Sequence, residues 1–318
     1  LHYPLRRQRQ MCIRDRWFTT LIDGKNTVPK RHWLLLWGLQ LGLVGMTPPV
    51  VAQAILPYSP NLDQQQLEEQ GLALTEDVVQ LVRFQQYDLA FSRAKLATQL
   101  APERFQTWFI LGTLYLQKEE LEPGVEVLKK AETMAPDEAG IKFTLGNAYF
   151  QQGNYQGAVE VLQTGLKQRP NVPAALFDMG NAYLKLNQFP KAVDAYNQAL
   201  AAEAEFWPAL NNIGLIEYEQ GKVDSALKRW QTVVTMDDEQ AEPQLAIAVA
   251  LYKQGQTEAG LKQAQAALEL DSRYAELDFL IKNLWGEKLI KDTKVLFATP
   301  MIATLIKTLP PPSDDVQS

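Results

Sequence analysis

The chain has 318 residues, 46% of them hydrophobic and 21% charged, the make-up of an ordinary soluble protein. Eight of the 31 Lys and Arg but only two of the 37 acids precede Ile55, which leaves 23 basic against 35 acidic residues in the rest. A body that acidic is repelled by phosphate backbones, which argues against nucleic-acid binding. The only histidines and cysteine, His2, His32 and Cys12, also lie before Ala54, so disulfides, Cys/His nucleophiles and imidazole or thiolate metal sites are excluded from the body.

Residues 1–16, LHYPLRRQRQMCIRDR, start on Leu and resemble translated sequencing-adapter read-through. They are expected to be a non-native leader and are set aside from fold reasoning. Residues 17–54 read as a signal peptide or N-terminal membrane anchor. Lys25, Lys30 and Arg31 precede the apolar run Trp33–Met46, and Ala52-Gln53-Ala54 supplies a small-residue cleavage site. The run is short for a membrane span and carries Gln40. Without a lipobox cysteine a lipoprotein is excluded. Both alternatives make the protein exported, placing it in a periplasm or thylakoid lumen, or membrane-anchored by residues 33–54. Residues 55–70 form a lead-in, kept extended by Pro57 and Pro60 and then helical after Asn61 or Asp63.

From Gly71 to Tyr274 the chain repeats itself every 34 residues, in units starting at 71, 105, 139, 173, 207 and 241. The twentieth position of each unit is always small: Ala90, Gly124, Ala158, Ala192, Ala226 and Gly260. The eighth is Gly in four consecutive units, at Gly112, Gly146, Gly180 and Gly214. Small residues at fixed places allow two helices to cross closely, and large ones between them stack the pairs. Turns inside the pairs carry Gly153, Asn187, Gly221 and Gly255, which accept the left-handed conformation at a helix end. In the second unit Trp108, Leu111, Gly112, Tyr115, Ala131 and Pro136 match the W-x2-L-G-x2-Y…A…P pattern. There the chain resembles the tetratricopeptide-repeat (TPR) family, over about two-thirds of its length. The resemblance implies an all-α superhelical solenoid of six helix–turn–helix units, whose terminal repeats need caps.

After the repeats, Leu277, Leu280, Ile281 and Leu284 recur at helical spacing. Residues 275–309 are therefore expected to form capping helices, including one around Glu287–Phe297 and another through Met301, Ile302, Leu305, Ile306 and Leu309. Residues 310–318 read as a disordered, proline-led tail.

Catalytic raw material is scarce. The acidic clusters Glu119, Glu120, Glu122 and Asp237, Asp238, Glu239 fall in turns, where nothing sets a partner at fixed distance or shifts a pKa. No phosphate loop, dinucleotide turn or nucleophile elbow is present. The sequence therefore predicts a non-enzyme that takes no cofactor and no metal.

The family resemblance directs attention to the groove, which the first helix of each unit lines. On that carry-over the inward residues include Phe109, Thr113, Phe143, Asn147, Phe150, Phe177, Asn181, Asn211, Asn212, Tyr218 and Tyr252. Aromatic rings supply desolvation energy and carboxamides pair with both peptide N–H and C=O, so the expected partner is another protein, bound as a peptide segment or helix. Alternatively these residues are framework that supports neighbouring helices. The family's clamp for C-terminal carboxylates is absent, because Phe143, Phe177, Glu242 and Ala246 stand where its cations belong. The signal segment ending PPVVAQA and repeats such as GNAYFQQGNY and NNIGLIEYEQG are similar to those of oxygenic photosynthetic bacteria. Within that group the chain resembles thylakoid-associated TPR proteins, which implies assembly or pigment-protein biogenesis at a photosynthetic membrane. The alternative is an envelope-biogenesis adaptor, for pili or secretion, in a periplasm.

Overall fold

The computed structural model describes residues 63–310, and all regular structure in that range is helical. The leader, the signal segment, most of the lead-in and residues 311–318 lie outside the described residues. Twelve helices pair into six hairpins. They are α1 (Gln64–Arg83) with α2 (Tyr87–Leu100), α3 (Phe105–Gln117) with α4 (Leu121–Met134), and α5 (Ala139–Gln151) with α6 (Tyr155–Gln168). There follow α7 (Pro173–Lys185) with α8 (Phe189–Ala202), α9 (Trp207–Glu219) with α10 (Val223–Met236), and α11 (Ala241–Lys253) with α12 (Thr257–Leu270). The described part of the lead-in, from Asp63 onward, is continuous with the first repeat. Asp63 caps it, accepting from the Gln65 N–H at 3.0 Å, and the helix then runs unbroken into the first repeat.

The 34-residue period has a direct steric cause. The glycine at position eight of the first helix lies under the large residue at position 24 of the second. A methyl group on Gly112 would sit 2.6 Å from Leu128, on Gly146 2.4 Å from Leu162, on Gly180 2.4 Å from the Tyr196 ring, and on Gly214 2.5 Å from Trp230. Leu128, Leu162, Tyr196 and Trp230 are in turn completely buried. They are the centres of successive hairpins, so the core runs along the array as a chain of apolar clusters. Position 15 turns each hairpin in the left-handed region, as Gly153, Asn187, Gly221 and Gly255 predict. In the first two repeats Gln85 (φ 58°) and Glu119 (φ 60°) do the same without glycine, at a strain cost of about 1 kcal/mol each.

Each second helix packs on the first helix of the following repeat, and successive first helices (α1 on α3, α3 on α5, α5 on α7) also touch. The first helices therefore lie along the inside of the curve.

The C-terminal segment departs from a simple stacked cap. A 3-10 turn (Ser272–Ala275) leads to the short α13 (Leu277–Lys282), then α14 (Glu287–Phe297) and α15 (Pro300–Thr308). The expected apolar stripe is broken. Leu280 and Trp285 are buried, but Ile281 is exposed, and Leu284 falls beyond the helix end at φ 68°. That left-handed residue turns the chain back. As a result α14 lies across α9 and α11, inside the curve, while α15 covers α12 at the end of the stack.

Candidate functional site

The first helix of every repeat contributes to the concave surface, and the structure divides that surface in two. Along α9 and α11 the inward residues Asn211, Asn212, Leu215, Tyr218, Leu245, Ala246 and Val249 are all buried. Along α5 and α7 the corresponding Thr144, Asn147, Phe150, Phe177, Asp178, Asn181 and Leu184 are half-exposed, with Phe143 buried, while on α11 Tyr252 is half-buried. The difference is α14, which fills the first half and leaves the second open.

Specific polar contacts hold α14 in place. The Glu219 carboxylate accepts from the Lys288 and Leu289 backbone N–H groups at 3.0 and 2.9 Å, satisfying the helix N-terminus from across the groove. Asp292, only 5% exposed, accepts from the Tyr218 hydroxyl at 2.8 Å and pairs with Lys253 at 2.8 Å. Burial by itself would raise its pKa, but the Lys253 and Tyr218 hydrogen bonds and the Lys253 and Lys288 charges outweigh burial and hold the carboxyl below its ordinary value. Trp285 Nε1 donates to Glu242 at 3.0 Å. Burial pushes Glu242 up to about 7, opposed by the bonds from Trp285 and Asn211. Leu289, Ile290 and Leu296 complete the contact as the apolar face of α14.

The sequence-predicted groove residues consequently have different fates. Asn211, Asn212 and Tyr218 are covered by the chain itself and are not free to meet a ligand. Their polar atoms are used internally, except Asn211 Oδ1, which is buried without a hydrogen-bond partner among the described residues. Asn212 Nδ2 donates to Asn181 Oδ1 at 2.9 Å and to the Tyr196 hydroxyl at 3.3 Å, Asn211 Nδ2 donates to Asn212 at 3.3 Å, and Trp230 Nε1 donates to the Asn211 carbonyl at 3.2 Å. Phe109 and Phe143 are buried between helices, Phe143 against α6 beside Gly165. Both rings therefore pack the hairpins rather than line an open surface. Thr113 bonds its own backbone, at the Phe109 carbonyl. Tyr252 is half-buried beside the C-terminal cluster.

Phe150, Phe177, Asn147 and Asn181 remain together at the open half. Phe177 sits 5.6 Å from both the Tyr196 and Phe206 rings, and Phe150 lies 5.3 Å from Tyr155. Asn181 accepts from the Tyr196 hydroxyl at 2.7 Å, and Asn147 accepts from Gln151 at 2.6 Å. Between Phe177 and Asn181 in sequence is Asp178, whose carboxyl burial raises to about 7. Its charge adds to the burial that drives the Tyr196 hydroxyl upward. Sequence reasoning passed over Glu219, Lys253 and Asp292; it placed Trp285 in the C-terminal cover, where the structure buries it, and met Asp178 only as a departure from the carboxylate clamp. One signal was available: in EKLIKDTKVLF, Asp292 lies on the same helix face as Leu289 and Leu296, and an acid on an apolar face asks for a partner.

Among the described residues no group of His, Cys, Asp and Glu is arranged to hold a metal, and no helix is long and apolar enough to cross a membrane. Comparison with known proteins agrees with the geometry. Two tetratricopeptide-repeat family models match, at residues 146–187 and 177–241. The fold is a tetratricopeptide-repeat solenoid. A model described as ChAPs (Chs5p-Arf1p-binding proteins) matches residues 53–138. No curated protein matches the chain. Among solved structures, pilF of Pseudomonas aeruginosa is 13% identical, with TM-score 0.57 over 69% of this chain and 97% of its own. The Cut9–Hcn1 hetero-tetramer of APC/C is also 13% identical, with TM-score 0.58 over 77% of this chain and 46% of its own. A MamA structure is 23% identical, with TM-score 0.47 over 51% and 94%. At these identities the likeness is one of fold alone. Tetratricopeptide repeats are protein-interaction modules without catalytic machinery of their own, and the matched models are of that kind.

Proposed function

We propose that this solenoid is a non-enzymatic docking scaffold that takes a polypeptide segment of another protein in the open half of its groove, along α5 and α7. The observation that carries the reading is the change in the concave lining, from buried at the named inward positions of α9 and α11, Tyr252 excepted, to half-exposed at those of α5 and α7, Phe143 excepted. Phe150, Phe177 and Leu184 offer apolar area there, and Asn147 and Asn181 stand beside them. Aromatic anchors flanked by hydrogen-bonding groups are where binding energy concentrates in protein interfaces.

The setting belongs to the same proposal. The basic residues before Trp33–Met46 and the Ala52-Gln53-Ala54 site support export across a membrane. The resemblance of the signal segment and repeats to those of photosynthetic bacteria supports a role in assembly or pigment-protein biogenesis at a photosynthetic membrane. Membrane attachment, on this reading, comes from residues 33–54 rather than from the repeats.

The test is in vivo cross-linking from a photoreactive amino acid at Phe150 or Phe177, with mass spectrometry of the adducts and fractionation of the membranes. A defined membrane-complex protein attached at both positions, and not from the α12 surface at Lys262, is the expected result. Correctly folded protein that gives no adduct from either groove position overturns the docking reading.

A further inference from the structure

The filled half of the groove shows what the surface accepts. Its occupant is an amphipathic helix, α14, laid across two inner helices with Leu289, Ile290 and Leu296 buried against them. Its one buried acid, Asp292, is met by a cation from the groove wall, Lys253, at 2.8 Å. In the open half the wall is built of the same repeat and is continuous with the filled half. The charge it offers is an acid without a partner among the described residues, where Lys253 in the filled half is a cation paired with Asp292. Asp178 projects from α7 beside Phe177, and among the described residues it makes no hydrogen bond and no ion pair. Its neighbours in the hydrogen-bonded row, Asn181, Tyr196 and Asn212, satisfy one another and leave it out. A half-exposed carboxyl beside aromatic rings, with no partner among the described residues, is able to pair with a cation that a ligand brings.

We propose that the open half of the groove receives an amphipathic helix of the partner protein, which presents a Lys or Arg from its apolar face to Asp178. The inference rests on the docking reading above and specifies its ligand. The partner's apolar residues would meet Phe150, Phe177 and Leu184 as those of α14 meet the wall of α9 and α11, and an Arg there could also stack on the Phe177 ring. At this one contact the two halves would pair charges in opposite senses, so that a lysine at the place of Asp292 would face Lys253 in the filled half and Asp178 in the open one.

Two hydrocarbon-stapled peptides of residues 286–298 test this, with the staple across the outward Lys291 and Val295 positions. One has the native sequence and the other carries Asp292→Lys. Both are titrated by fluorescence anisotropy against the full chain. The lysine peptide is repelled by Lys253 and so has no reason to displace α14; it should bind at least tenfold more tightly than the native-sequence peptide. Asp178→Asn, checked for folding by circular dichroism, should erase that preference. Equal binding of the two peptides, or a lysine-peptide affinity unchanged by Asp178→Asn, overturns the proposal. Cross-linking from Phe150 and Phe177 does not depend on the charge of Asp178. A captured partner combined with indifferent peptides therefore removes the helix-and-cation inference and leaves groove docking in place.

Discussion

The contact on which the division of the groove depends can be weakened by one substitution, Asp292→Ala. The change removes two interactions of unequal weight. The Lys253 side chain is 57% exposed, so its ion pair with Asp292 is screened and its ammonium returns to water when the partner is lost. That part is worth about 1 kcal/mol or less. The Tyr218 residue is fully buried, and its hydroxyl donates to Asp292 at 2.8 Å. Stripped of its acceptor it bears a desolvation cost of about 1–3 kcal/mol. The sum is about 2 kcal/mol, and it falls on the docking of α14 rather than on the repeats, which keep all their own contacts. Native-state hydrogen exchange followed by mass spectrometry reads this directly, because local opening is reported segment by segment. Amides in 287–297 should exchange about 30-fold faster in the variant, at about 1.4 kcal/mol per tenfold, while those in α5 and α7 keep their rates. Asp292→Asn preserves an acceptor for Tyr218 and should give a smaller change. Unaltered exchange in 287–297, or an equal rise throughout the chain, would refute the assignment of α14 as a separately held occupant of the groove.

Two further outcomes follow from the packing. The pKa of Glu242 is raised to about 7 in the folded protein, so its favourable contribution is complete below its ordinary value near 4.5 and is lost as pH rises through about 7. Glu242→Gln, which keeps an acceptor for Trp285, should therefore match the parent's melting temperature near pH 4 and exceed it at pH 8; a parallel pair of curves would show that the carboxyl is not dehydrated. Gly180→Ala places a methyl group 2.4 Å from the completely buried Tyr196 ring. Overpacking of this kind costs about 1–3 kcal/mol, and alanine recovers about 1 kcal/mol of helix propensity. The net, about 0–2 kcal/mol of loss, should appear as a lower thermal midpoint, and a raised midpoint would contradict the steric account of the period.

What was legible in the sequence was everything that recurs. A residue under the same constraint in each repeat leaves a periodic trace: glycine at position eight because a side chain from position 24 crosses there, a small residue at position 20, and a left-handed residue at position 15. The trace predicted six hairpins, their boundaries to within a few residues and their inner helices. It did not reveal that Gln85 and Glu119 take the turn that glycine takes elsewhere, since the same local need was met by a different residue.

The state of the groove was another matter. Phe109, Phe143, Asn211, Asn212 and Tyr218 occupy inward positions by phase, and phase alone cannot say whether an inward position meets solvent, a neighbouring helix or a distant segment. Tyr218 and Asp292 are 74 residues apart, and Glu219 caps a helix that begins in a region with no repeat to index it. Helical periodicity is a local property, set by which residues share a face within one or two turns. Contact between α14 and the inner wall is decided by how the left-handed turn at Leu284 redirects the chain, and by whether Glu219, Tyr218 and Lys253 can satisfy what α14 brings. Those are conditions on three dimensions at once, and so the sequence by itself determined the repeating scaffold, while only the tertiary structure decided which half of its groove is left open.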